Sequence, residues 1–315
     1  MPGGLAAVSI DLDEVPDYLA IHDLPPLDPG SPPADAVYEA ALPRIAGFAA
    51  AHGLTVTLFA IGRDLERPAN AAALRVLSGA GHAVENHSYG HRYDLVRLSP
   101  GEVREEIARG AEAIARATGR RPVGFRAPGY TVRDEVLDAL EDLGAQFDSS
   151  VFPCPPYYAA KAAVLAAQRL RSRRSAAILD APRVLVAPTR PYRPGRPWFR
   201  RGARRLIELP IQVTPCGRFP VIGTSVALAG PAGARLLAAA CAREPLVNLE
   251  LHGMDFLDRA DGLELLAGHQ PELRVPLGRR LDALSAFVEA LARQGRSFVG
   301  LEEAAVALGP ALGLS

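Results

Sequence analysis

Short apolar runs alternate along this chain with longer stretches of helical period. Residues 6–10 form an apolar run with β-branched members, read as a buried strand that runs into Asp11-Leu12-Asp13-Glu14. Residues 55–62 give the clearest strand pattern, and 82–85, 123–126, a short stretch to Asp148, 206–211, 246–251 and 298–301 read the same way. Helical periodicity predicts helices over 34–52 (closed by Gly53), 69–79, 99–118, 133–143, 232–242 and 281–293, with the Pro-rich 25–33 as a surface loop. The helix over 99–118 carries the strongest signals: Ser99 as cap, Glu102 completing a capping box, Gly119 as stop.

Strand and helix alternate throughout, which implies an α/β fold with a mostly parallel sheet. About seven such units suggest a closed or nearly closed barrel. Residues 153–205 have too little apolar periodicity for a core of their own and read as an Arg/Pro-rich insertion on the rim of a single domain spanning 1–315.

Composition narrows the class. Hydrophobic residues make up 49% of the 315, enough for a globular core. No apolar run reaches the roughly 18 residues of a membrane span. The start of the chain lacks the basic, apolar and small-residue pattern of a secretion signal, so the expected location is cytoplasmic. Three scattered cysteines (Cys154, Cys216, Cys241) fit a reducing compartment and neither a disulfide framework nor a thiolate zinc site. Net charge is zero, yet residues 169–205 hold 12 arginines against one acid, Asp180, a balance of +11. Lys161 is the sole lysine.

The strand ends carry polar residues that core packing does not ask for: Asp11 and Asp13, His87 and His91, Arg126, and His252. Two imidazoles four residues apart lie on one side of a helical turn, or of a tight loop leaving a strand, and both can reach one cation. A carboxylate from elsewhere would complete a facial three-ligand site with positions left open for water and substrate. Each residue alone also has a plain structural reading: a turn cap, a core histidine, a surface charge. His22, His52, His82 and His269 are read as structural.

Taken in order, these residues resemble the motifs of the polysaccharide deacetylase family (the chitooligosaccharide deacetylase homology domain, carbohydrate esterase family 4), in its Asp-x-Asp branch. Ser9-Ile10-Asp11-Leu12-Asp13 is similar to the first motif, His87-Ser88-Tyr89-Gly90-His91 to the second and Arg126-Ala127-Pro128-Gly129 to the third. Asp148 in Phe-Asp-Ser-Ser and Leu249-Glu250-Leu251-His252 stand for the fourth and fifth. The resemblance implies a distorted (β/α)7-type barrel and a metal-dependent N-deacetylase. Asp13, His87 and His91 would hold one divalent metal, zinc. Asp11 would be the general base, paired with and kept anionic by Arg126. Protonated His252 would donate to the leaving amine, kept cationic by Asp148 or by its rival Asp255. The backbone N–H of Gly129 or Tyr130 would help stabilise the oxyanion.

A cytoplasmic location would put mature wall polymers out of reach and point to a smaller N-acylated sugar or glycoconjugate, phosphate- or lipid-linked, or to another linear amide. A deformylase with the same site, and a non-catalytic carbohydrate- or lipid-binding protein, are the alternatives. The aromatics and guanidinium groups of 169–205 suit a phosphate group or an anionic membrane face. The basic run is broken by prolines and accompanies no nucleic-acid-binding fold, which argues against nucleic acid.

Overall fold

The structure is a computed structural model that describes residues 4–28, 31–179 and 182–313; Asp180 of the insertion and parts of the first loop lie outside them. Seven strands lie in the order β6-β5-β4-β3-β2-β1-β7, every pair parallel. They are β1 (Leu5–Asp11), β2 (Val56–Ala60), β3 (Ala83–Asn86), β4 (Gly124–Phe125), β5 (Phe147–Asp148), β6 (Ile207–Glu208) and β7 (Leu246–His252). β7 runs along the whole of one edge of β1. On the other edge β2 takes Val8 to Asp11, and a further strand, β8 (Ser297–Phe298), takes Leu5 and Ala6. The result is the expected α/β sheet, curled into a nearly closed barrel.

The open seam lies between β6 and β7. Pro210, just past β6, has no N–H to offer a ladder. Asn248 of β7 bridges the gap instead: its side-chain amide donates to Leu209 O (3.2 Å) and Pro210 O (3.3 Å), and its backbone carbonyl accepts from Gln212 N (3.2 Å).

Alternation along the strands sorts the two faces. Val8, Ile10 and Leu12 of the first segment, with Leu58 of β2 and Val247, Leu249 and Leu251 of β7, face outward into the main core under the helices. The inner face is graded. Leu5, Ala7, Phe59, Phe147 and Leu246 plug its lower end, whereas Ser9, Asp11, Asn248 and Glu250 continue the same rows as buried polar residues. Chemistry therefore collects at the carboxyl ends of the strands.

The helices are α1 (Val15–His22), α2 (Leu42–His52), α3 (Pro68–Gly79), α4 (Pro100–Thr118), α5 (Asp134–Asp142), α6 (Pro155–Leu170), α7 (Gly223–Ala240), α8 (Leu277–Arg293) and α9 (Leu301–Leu308). The Ser99–Glu102 capping box and the left-handed Gly119 form as expected. α7 begins nine residues before the expected 232, because the left-handed Gly230 and Pro231 split the sequence pattern within one packed element.

The insertion clothes the rim. Tyr192 exchanges backbone hydrogen bonds with Glu208, covering the exposed edge of β6, and Tyr192 and Trp198 are buried. Arg204 is held by Asp134 (3.2 Å), Asp138 (2.7 Å) and Glu141 (3.0 Å) of α5, and Arg190 by Glu244 (2.9 Å). The basic aromatic surface expected over 169–205 is thus corrected in its second half: the aromatics there pack inward and several of the guanidinium groups pair within the fold. Arg169, Arg171, Arg173 and Arg174, at the end of α6, remain exposed.

Candidate active site

Asp11 is the last residue of β1, and Asp13 lies two residues on, in the same inward-facing row. His87 leaves the end of β3 and begins a tight loop, the second of the two geometries open from sequence. Ser88 and His91 both take left-handed backbone angles (φ 66° and 53°), unfavourable for side chains of this kind. Ser88 O accepts from Gly62 N, Tyr89 O from Arg63 N, and Ser88 Oγ from His91 N, which fixes the loop. α4 presses against it at Gly110, where a Cβ would lie 2.3 Å from Asn86 Oδ1.

The geometry brings Asp13, His87 and His91 together. Their donor atoms lie within 4.8 Å of one another, all buried. His87 Nε2 is 3.2 Å and His91 Nε2 3.3 Å from the Asp13 carboxylate. His87 Nδ1 stands 2.7 Å from Arg126 O, which fixes the tautomer and leaves Nε2 aimed at the site. Asp17 of α1, passed over in the sequence, supports His91 Nδ1 at 3.2 Å and is itself paired with Arg63. Asp13 Oδ1, which lies against His87 Nε2, and His91 Nε2, which lies against Asp13 Oδ2, make no hydrogen bond: both approaches are ion-pair distances without hydrogen-bond geometry. Buried donors in that condition fit a shared cation. Burial opposes the charge on Asp13, but His91 and His87 hold its carboxyl well below the usual range. Burial likewise opposes the charge on His91, and Asp13 and Asp17 push it well above.

Arg126 is fully buried and donates from all three guanidinium nitrogens. It donates to Asp11 Oδ1 (2.6 Å), Ser9 Oγ (2.8 Å), Ser149 Oγ (2.9 Å) and Ser149 O (2.9 Å), over the face of Phe59. Asp11 pairs in register with His252 across β1 and β7. Asp11, Glu250 and His252 also lie within 4.8 Å of one another, but this second cluster already contains its cation in Arg126.

The partner of the His252 ring is Glu250, two residues back on β7. Its Oε1 lies 3.0 Å from His252 Nδ1 and accepts from the Tyr130 hydroxyl at 3.0 Å, and that hydroxyl is 3.4 Å from His252 Nε2. Of the two expected supports, Asp148 is corrected, whereas Asp255 adds its charge beside the ring to that of Glu250. Asp148 closes β5 in register with Glu208, where its carboxylate accepts from Ser150 Oγ (2.6 Å), and Asp255 accepts the backbone N–H of His252 (2.9 Å). Burial and the nearby Asp148 push Glu208 well above the usual range. The His252 ring keeps 27% of its surface exposed to the pocket. Burial pulls its pKa down, but Glu250, Asp13, Asp11 and Asp255 outweigh that and raise it to about 9. The Glu250–His252 pair was legible in principle: a lone Glu in an apolar strand, spaced i, i+2 from His252, must share its face.

Of the two proposed oxyanion donors, the Tyr130 N–H is engaged with Ala127 O at 3.0 Å. Gly129 remains on the wall of the pocket that opens over Asp11, Asp13, His87 and His252. That pocket has a volume of about 290 Å³, roofed by α6. A larger hollow of about 560 Å³, between α5 and α9, contains none of these residues.

Residues 33–147 match the polysaccharide deacetylase family. That span includes His87, His91 and Arg126 and leaves Asp11, Asp13 and His252 to be placed by geometry. A peptidoglycan deacetylase-like protein of Gibberella zeae is 35% identical over 97 residues, 30% of this chain and 28% of its own length. A peptidoglycan deacetylase of Helicobacter pylori is 24% identical over 162 residues, 49% of this chain and 52% of its own length. The chain therefore spans about half or less of the curated relatives it matches. Among solved structures, a candidate polysaccharide deacetylase from Mycobacterium smegmatis superposes with a TM-score of 0.59 at 20% identity, covering 98% of this chain and 92% of that one. That likeness bears out the fold, and the family resemblance read from the motifs stands.

Proposed function

We propose that this chain, a polysaccharide deacetylase family sequence over residues 33–147, is a hydrolase that removes an N-acyl group, N-acetyl in the simplest case, from a sugar or glycoconjugate. The observation that carries the reading is the convergence of Asp13, His87 and His91 beside an aspartate, Asp11, that is paired with Arg126 and left out of their donor set. Two neutral imidazoles and one carboxylate suit a single divalent ion such as zinc. When bound, that ion would supply Lewis acidity, acidifying water and polarising an amide carbonyl.

The chain's own residues supply the rest. Asp11, oriented by Arg126, takes a proton from the attacking water as its oxygen adds to the acyl carbon. The Gly129 N–H, on the pocket wall, would help stabilise the developing oxyanion. His252, held cationic through Glu250, gives its proton to the nitrogen as the C–N bond breaks. A carboxylic acid and a free amine leave, and the amine carries the His252 proton. A phosphate- or lipid-linked form of the substrate, or contact with a membrane face, draws support only from the exposed arginines at the end of α6. No described helix is long and apolar enough to cross a membrane.

The test is acetate and formate release from N-acetylated and N-formylated aminosugars by the metal-loaded protein, with Asp11→Asn alongside. The reading requires release by the wild type. It also requires an Asp11→Asn variant that keeps its metal and has lost the reaction.

A further inference from the structure

Three buried polar atoms on the pocket wall lack a hydrogen-bond partner among the described residues, and none belongs to the metal or proton-transfer sets. They are Glu272 Oε2, Gln168 Oε1 and Tyr18 Oη. A buried polar atom left unpaired is costly, so three of them on residues that line one cavity point to a ligand that pairs with them. Glu272 is the sharpest case. It is 5% exposed, lies in the turn Pro271–Arg274, and shares the pocket with His252.

α6 contributes another part of the wall. Tyr157, Lys161, Val164, Leu165 and Gln168 line the pocket at spacings of three and four, the mark of a single helix face. That wall is tied to the site itself. Gln168 Nε2 (3.1 Å) and Ser175 Oγ (2.7 Å) both donate to Ile21 O, and Ala176 N donates to Ala20 O (3.2 Å), so the end of α1 carries the insertion. The pocket volume, about 290 Å³, lies just below the range of roughly 300–1,000 Å³ usual for small-molecule pockets.

Building on the hydrolase reading above, we propose that Glu272 is a substrate-reading carboxylate. It accepts a hydrogen bond from a hydroxyl of one N-acylated sugar residue, and the α6 wall confines the site to that single residue, free or terminal, in place of the interior of a polymer. The apolar side chains of α6 suit the C–H face of a sugar ring, and Gln168 Oε1 offers a second acceptor for its hydroxyls.

The test separates binding from turnover. Calorimetry would measure N-acetylglucosamine and its tetramer binding to the metal-loaded Asp11→Asn protein, with and without Glu272→Gln; melting temperatures would be recorded for each. The proposal expects monomer affinity to fall about 10- to 100-fold on Glu272→Gln. It expects the melting temperature not to fall, because an unpaired buried carboxylate has been removed. The tetramer should bind no more than a few-fold tighter than the monomer. Absent binding, unchanged affinity, or lost affinity with a lower melting temperature would overturn the role of Glu272. A tetramer bound more than tenfold tighter would overturn the single-residue site. Acetate release is a separate readout, so a protein that binds the sugar through Glu272 without hydrolysing it would refute the hydrolase reading alone.

Discussion

His252 Nδ1 and Glu250 Oε1 stand 3.0 Å apart on one face of β7, and the Tyr130 hydroxyl donates to the same oxygen. The pair gives the imidazole a fixed orientation and a standing reason to remain protonated. Replacing Glu250 with Gln keeps the shape and removes the charge. The expected result is a kcat about 100-fold lower, the scale of a lost general acid, with the basic limb of the pH–rate profile moved to lower pH. A profile that falls in height without moving would assign Glu250 a merely structural part.

For the wild type the sign is fixed by the direction of the His252 shift. Its folded pKa, about 9, lies above the ordinary histidine value of 6.5, so the proton donor is present below that range and is lost as pH rises through about 9. The same group contributes stability that is complete below about 6.5 and disappears across that window. A rate that rises through pH 9 would reverse the assignment of His252 as the acid.

Arg126 makes four hydrogen bonds in a fully buried position, one of them to Asp11. Arg126→Met should cost about 3–5 kcal/mol in chemical denaturation, because Asp11 would stay buried without its partner. Arg126→Lys should recover only part of this, since an ammonium cannot reproduce the planar fork. Full recovery by lysine would show that charge alone matters there.

Gly110 is the point at which α4 meets the histidine loop. Gly110→Ala should force Asn86 and Ser88 aside, destabilise the fold by about 1–3 kcal/mol and weaken metal binding, although the residue touches no donor atom. Unchanged metal affinity in that variant would show that the loop tolerates displacement.

Much of this architecture is written in the chain's periodicity. The strand that delivers His87, the capping box of α4 and the polar ends of β1 and β7 are all visible as local pattern, because each rests on residues close in sequence. α1 and α9, eight residues each, were missed because helices that short carry too few turns to show a period. The partner of His252 was misread for a different reason. Order along the chain suggested Asp148, but β5 meets β6 there, and the inner row of β7 had already placed Glu250 beneath the ring. The arginines of 190–205 looked like a surface by composition; their acids lie more than 40 residues away, on α5 and at Glu244, and only the fold shows them.

The direct test is titration of the metal-free protein with zinc, followed by elemental analysis of wild type, His87→Ala, Asp13→Ala and Asp11→Asn. One ion per chain is expected in the wild type and in Asp11→Asn, with binding lost in the other two. An Asp11→Asn protein that loses the ion, or a His87→Ala protein that keeps it at wild-type affinity, would contradict the site.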